Sequence, residues 1–72
     1  MKTIVGRNIR RIRLDLGYSQ AGLAELARTS QSWICRIETG NRNPTLGCIS
    51  RIARALRVEP SDLLREAAER GA

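Results

Sequence analysis

Helix caps and breakers cut this chain into five short segments of helical periodicity, and no stretch alternates apolar and polar residues as a half-buried strand would. The first runs from about Thr3 to Leu16. At ~100° per residue, Val5, Ile9, Ile12 and Leu16 fall on one narrow stripe. Arg13 sits at its flank, Arg7, Arg10 and Arg11 lie away from it, and Leu14 points opposite. Gly17 ends the segment, since glycine enters the left-handed region without a Cβ penalty. The second opens at Ser19, an N-cap residue, and carries Leu23, Ala24, Leu26 and Ala27 inward over barely two turns. Gly22 within it costs roughly 1 kcal/mol relative to alanine, so this helix depends on its neighbours. After the short break Arg28-Thr29-Ser30, a third segment is capped by Ser30 and stopped at Gly40, which gives two short helices the geometry of a helical corner.

The polar loop Asn41-Arg42-Asn43-Pro44 follows, its proline disfavouring helix in the residue before it. The fourth segment runs from about Thr45 to Arg57, with Leu46, Ile49, Ile52, Ala53 and Leu56 on one face. Glu59-Pro60-Ser61-Asp62 then reads as a helix start, with proline at the first helical position and Asp62 near the positive end of the dipole. Val58 and Leu63 are spaced as a hydrophobic staple across it. The fifth helix is expected to fray beyond Glu66. Residues 1–68 thus form one all-α domain and 69–72 a disordered tail.

A chain of 72 residues has room for a single core, and a domain of that size buries only about 60% of the surface that its unfolded form exposes. Nothing in the sequence staples it. Cys35 and Cys48 lack the spacing of a zinc site and there is no histidine to complete one. A disulfide between them stays open, but two thiols without a secretory leader fit a reducing cytoplasm better. No apolar run approaches the ~20 residues that span a bilayer. The expectation is a soluble cytoplasmic protein with no metal and no cofactor.

Thirteen Lys and Arg against seven Asp and Glu give a net charge of +6. That balance suggests a polyanion as partner, because each phosphate neutralised releases condensed counterions. One Tyr, one Trp and no Phe leave no stacking platform of the kind that single-strand and RNA binders use, so duplex DNA is favoured.

The third helix separates into two arcs on a helical wheel. Ile34 and Ile37 mark the buried side. Gln31, Ser32, Cys35, Arg36 and Thr39 occupy an opposite arc about 140° wide, nearly all hydrogen-bonding groups. Glutamine and arginine are the side chains that pair bidentately with adenine and guanine edges. Trp33 stands at the border, where its ring packs half buried and its indole N–H stays free to donate to a phosphate. Glu38 also lies at the border, as Arg13 does on the first helix; a carboxylate and a guanidinium at the core margin should pair, because either is costly to desolvate alone. No Ser-His, Cys-His or paired-carboxylate arrangement exists for Glu38 to serve, so no enzyme is expected.

Several spaced elements in order carry a resemblance: "RxxxGYSQ" (Arg13 to Gln20), "LA" (Leu23-Ala24), "SQSWICRIETG" (Ser30 to Gly40), "NP" (Asn43-Pro44) and "ALRVEPSDLL" (Ala55 to Leu64). From Val5 to Leu64 the chain resembles the Cro/CI-type, XRE-like helix-turn-helix regulators of phages and bacteria. The resemblance implies a compact five-helix, lambda-repressor-like fold in which the second and third helices form the motif and the third enters the major groove. It implies base contacts from Gln31, Ser32 and Arg36, with Cys35 on the same arc. It implies backbone contacts from Ser19 and Gln20 at the start of the second helix, joined by Thr39, Arg42 and Trp33, and it makes Arg13 and Glu38 an internal ion pair. Three positions depart from the pattern. Arg28 stands where the turn usually has glycine, so either it is left-handed or the turn is built differently; Gly22 replaces a polar helix former; and Cys35 replaces a serine.

The function implied is a sequence-specific regulator bound to an inverted repeat as a homodimer, because one recognition helix reads too few base pairs. Leu63 and Leu64 are expected at the dimer contact, since one helix face buries only one of two adjacent leucines well. Cys48 and Ala55 could flank it. Arg51, Arg54 and Arg57 read as solvated or dimer-rim charges. With no effector-binding domain expected after Leu64, control would come through concentration, a regulatory protein partner or a covalent event. Phage repressors, restriction-modification controllers and antitoxin-like autorepressors all fit. A protein-interaction module that keeps the fold without using a DNA face is the alternative, since fold does not fix function.

Overall fold

Four of the five helices start at a hydroxyl that accepts a hydrogen bond from the backbone N–H three residues on: Thr3 from Gly6 (3.0 Å), Ser19 from Gly22 (2.9 Å), Ser30 from Trp33 (3.1 Å) and Thr45 from Cys48 (3.2 Å). Each satisfies one of the amides that a first turn leaves without an intrahelical partner. The computed structural model describes residues 3–65. Among them the elements are α1 Ile4–Asp15, α2 Gln20–Ala27, α3 Gln31–Thr39, α4 Leu46–Leu56 and α5 Pro60–Leu64, with no strand. The expectations of fraying beyond Glu66 and of a tail at 69–72 lie outside the described residues.

α2 and α3 pack on each other as the corner, α4 lies beneath α2, and α1 bridges α3 and α5. The enclosed centre is Ile9, Leu23, Ile34, Ile37, Ile52, Leu56 and Leu63, all at 0 or 1% exposure. Burying such a side chain contributes about 1.5 to 3 kcal/mol relative to leaving it exposed. Two buried polar contacts join distant elements. Asn8 Nδ2 donates to the carbonyl oxygens of Leu63 (2.9 Å) and Arg65 (2.6 Å), which pins the end of α5 to the middle of α1. Arg51, on α4, donates from Nε and Nη2 to the Ala27 carbonyl (3.2 Å each) and from Nη2 to the Arg28 carbonyl (2.7 Å). It caps the last turn of α2, where carbonyls lack partners. Arg51 is therefore a structural clamp on the corner and not a rim charge, and neither clamp leaves a local spacing signature.

Where α2 turns into α3, Arg28 adopts the left-handed conformation at φ 59° and ψ 49°, so the arginine takes up the geometry glycine usually supplies. Arg57 ends α4 in the same way, at φ 60°.

Three leucines expected inside are exposed. Leu16 is 50% exposed: α1 ends at Asp15 and the chain swings away at Gly17 (φ 81°), so Leu16 leaves the stripe, and the buried face of α1 rotates to Gly6, Asn8, Ile9 and Arg13. Leu26 is 54% exposed, because it lies roughly 110° from the centre of the arc formed by Leu23, Ala24 and Ala27. Leu46 is 78% exposed as the first residue of α4, beyond the end of the packed face. Leu63 is wholly buried and so is a core residue rather than a subunit contact, leaving Leu64 as the exposed member of that pair. Cys48 is buried too.

Two glycines differ in what their missing Cβ permits. At Gly6 a Cβ would collide with the carbonyl oxygen of Ile37 and lie 3.3 Å from Glu38 Cα, so α1 and α3 approach this closely only because position 6 has no side chain. At Gly47 the nearest atom would be Thr45 Oγ1 at 4.0 Å. Thermal unfolding should therefore show Gly6→Ala destabilised by about 1 to 3 kcal/mol through overpacking. Gly47→Ala should gain about 0.5 to 1 kcal/mol from lower backbone entropy in the unfolded chain. Equal shifts for the two would contradict the close approach.

Candidate nucleic-acid interface

A helix can read a groove only if its exposed face is chemically specific and its buried face is rigidly held, and α3 meets both conditions. Ile34 and Ile37 are fully buried, and the cap at Ser30 and the left-handed stop at Gly40 (φ 86°) fix its ends. Gln31, Ser32, Cys35, Arg36 and Thr39 are exposed and Trp33 is half-buried. The one acid on the helix, Glu38, is turned inward.

That inward turn rests on a buried network. Arg13 Nε donates to Glu38 Oε2 at 2.7 Å and Nη2 to Oε1 at 3.0 Å, while Nη1 donates to the carbonyl of Tyr18 at 2.9 Å. The Arg13 and Glu38 side chains are 7% and 2% exposed. Gln20 Nε2, from the first position of α2, adds a bond to Glu38 Oε1 at 3.0 Å. One carboxylate thereby ties α1, the loop at Tyr18 and α2 to α3. It also leaves Arg36 as the only charged group on the exposed arc, which therefore carries no negative charge.

The flanking residues expected to meet phosphate stand in different states. Ser19 Oγ accepts from Gly22 N, which keeps its hydroxyl proton available at the positive end of α2. Gln20 has one amide hydrogen committed to Glu38 and a second to offer. Thr39 Oγ1 donates back to the carbonyls of Cys35 (3.0 Å) and Arg36 (3.2 Å), so its single proton is used within its own helix. Arg42 is exposed in the loop between α3 and α4. Both cysteines are free thiols, Cys35 exposed on the arc and Cys48 buried behind it. Burial pushes the Cys48 thiol above its ordinary range, and the nearby Arg51 guanidinium pulls it partly back. Among the described residues no group of His, Cys, Asp or Glu could hold a metal, and no helix is long and apolar enough to cross a membrane.

Comparison with known proteins places this geometry. Residues 4–68 match the family described as Helix-turn-helix domain. The control protein C.BamHI of Bacillus amyloliquefaciens is 38% identical over 65 residues, which cover 89% of this chain and 80% of that protein. Among solved structures, the restriction-modification controller protein C.AhdI of Aeromonas hydrophila is 37% identical with a TM-score of 0.81, over 83% of this chain and 91% of that one. SinR of Bacillus subtilis, solved in complex with DNA, is 31% identical with a TM-score of 0.81, over 85% of this chain and 98% of that one.

Glu38→Ala should cost about 3 to 5 kcal/mol, because it strands Arg13 in the interior. Replacing both by apolar residues of similar volume, Arg13→Met with Glu38→Leu, should recover much of that loss. Chemical denaturation of the three proteins checks this, and an unchanged midpoint for Glu38→Ala would refute it. In a titration with a thiol-specific disulfide reagent, Cys35 should react in the native protein and Cys48 only once denaturant is added. Two thiols reacting together without denaturant would contradict the burial.

Proposed function

The chain belongs to the Cro/CI-type, XRE-like helix-turn-helix family, and on that footing we propose that it is a sequence-specific duplex-DNA-binding transcriptional regulator of the repressor or controller kind. One observation carries the reading: the exposed arc of α3 holds uncharged donors and acceptors around a single arginine, with its only carboxylate withdrawn into the core. Such an arc can lie against base edges without repelling the phosphates beside them. Gln31, Ser32, Cys35 and Arg36 face the bases in this reading. Ser19, the free hydrogen of Gln20, the indole N–H of Trp33 and Arg42 hold the backbone on either side. Thr39 stiffens the helix end instead.

The same reading has the protein act as a homodimer on an inverted repeat, since a single helix covers too little sequence for useful discrimination. Leu64, half exposed at the end of α5, is the apolar group available there to a second copy.

Selection of bound sequences from a random duplex pool tests both parts. It should return one motif with two-fold symmetry, and recovery of random sequence would overturn the proposal. Arg36→Ala should lose about 1 to 3 kcal/mol on the selected site and less on random duplex, so specificity falls. Arg42→Ala should weaken selected and random duplexes alike and lower the salt slope by roughly one unit. A bulky adduct on Cys35 should block binding without unfolding the domain; full binding by the alkylated protein, with an Arg36 variant of unchanged preference, would remove α3 from the reading role.

A further inference from the structure

Between α2 and α4 the surface opens into a groove of about 740 Å³ lined by four arginines, Arg28, Arg51, Arg54 and Arg57. No carboxylate lines it, and no residue of α3 or of the loop after α3 does either. It is thus separate from the reading surface. Among the described residues none of the four guanidiniums lies in a salt bridge. Arg51 is engaged with the carbonyls of Ala27 and Arg28, whereas Arg28, Arg54 and Arg57 are exposed.

Two of these arginines occupy positions that favour another residue. Arg28 and Arg57 are the non-glycine residues with positive φ among those described. Glycine ends a helix in this conformation at least conformational cost. A cation gains something from the negative end of a helix, but in α4 the ordinary position of Arg54 in the last turn already supplies that. What the two left-handed positions share is that both side chains line one groove. Strain kept at residues that converge on one surface points to use of that surface.

The groove is not purely cationic. Leu26 is 54% exposed on its wall, and Tyr18 and Ala55 are half-buried beside it. A phosphodiester backbone would neutralise the arginines and leave Leu26 uncovered, whereas a peptide carrying carboxylates around an apolar side chain complements both. Arginine forks are also suited to bidentate pairing with carboxylates. We propose that the groove between α2 and α4 docks an acidic segment of a partner protein that inserts an apolar side chain against Leu26. This goes beyond the DNA-binding reading and does not rest on it.

The test titrates the full chain with a short amidated peptide of Glu with Leu at i, i+4 spacing, followed through backbone amide resonances. An all-Glu peptide of equal charge and a short random duplex are the controls. The expected result is perturbation centred on Leu26, Arg28, Arg54 and Ala55, tighter binding of the Glu/Leu peptide than of the all-Glu peptide, and random duplex perturbing α3 instead. The double variant Arg28→Gly with Arg57→Gly keeps the left-handed geometry and relieves its strain. It should melt at or above the parent temperature, keep the parent's DNA sequence preference, and bind the peptide about tenfold more weakly. Equal binding of the two peptides, perturbation confined to α3, perturbation of the groove by the duplex, or unchanged peptide affinity in the double glycine variant would each overturn the proposal.

Discussion

The bond between Arg13 and Glu38 is the contact on which the arrangement of this domain depends. Apolar burial in so small a core is non-directional and would tolerate several relative angles of short helices. A bidentate pair, with Gln20 and the Tyr18 carbonyl added, tolerates one. Its value lies in orientation more than in net energy, since removing two charges from water offsets much of their attraction. Orientation is what an exposed helix face needs if five side chains are to meet a rigid surface together.

A second constraint acts from below. Arg51 reaches from α4 to the final carbonyls of α2, so the corner is gripped at the start of α2 by Glu38 through Gln20 and at its end by Arg51. The short α2, with Gly22 in its first turn, is therefore held by its two ends rather than by helical propensity. The same bond supports the left-handed backbone at Arg28, because the carbonyl of that residue has a partner only in this geometry.

Much of this was legible in the sequence because it is encoded locally. Ser19, Ser30 and Pro60 mark helix starts, and Gly40 marks a stop, through interactions that span a few residues. The arc from Gln31 to Thr39 and the pairing of Arg13 with Glu38 follow from the helical repeat and the cost of a lone buried charge. Leu16, Leu26 and Leu46 were misjudged for a common reason: hydrophobicity and period say which face is apolar, but not where a neighbouring helix stops covering it. Asn8 and Arg51 were not legible as anchors, since their partners lie 55 and 24 residues away and are backbone carbonyls, which every residue has.

The bond from Asn8 to Leu63 gives the domain a time order as well as a shape. It closes a loop almost as long as the chain, and the entropy of closure grows with loop length, so contacts within the α2–α3 corner can form while α5 is still detached. The last helix to dock is also the first to leave, which places the weakest seam of the fold along the α1–α5 contact. A second copy resting on Leu64 would hold that seam shut by mass action, so the folded population of each chain would rise with the concentration of its twin.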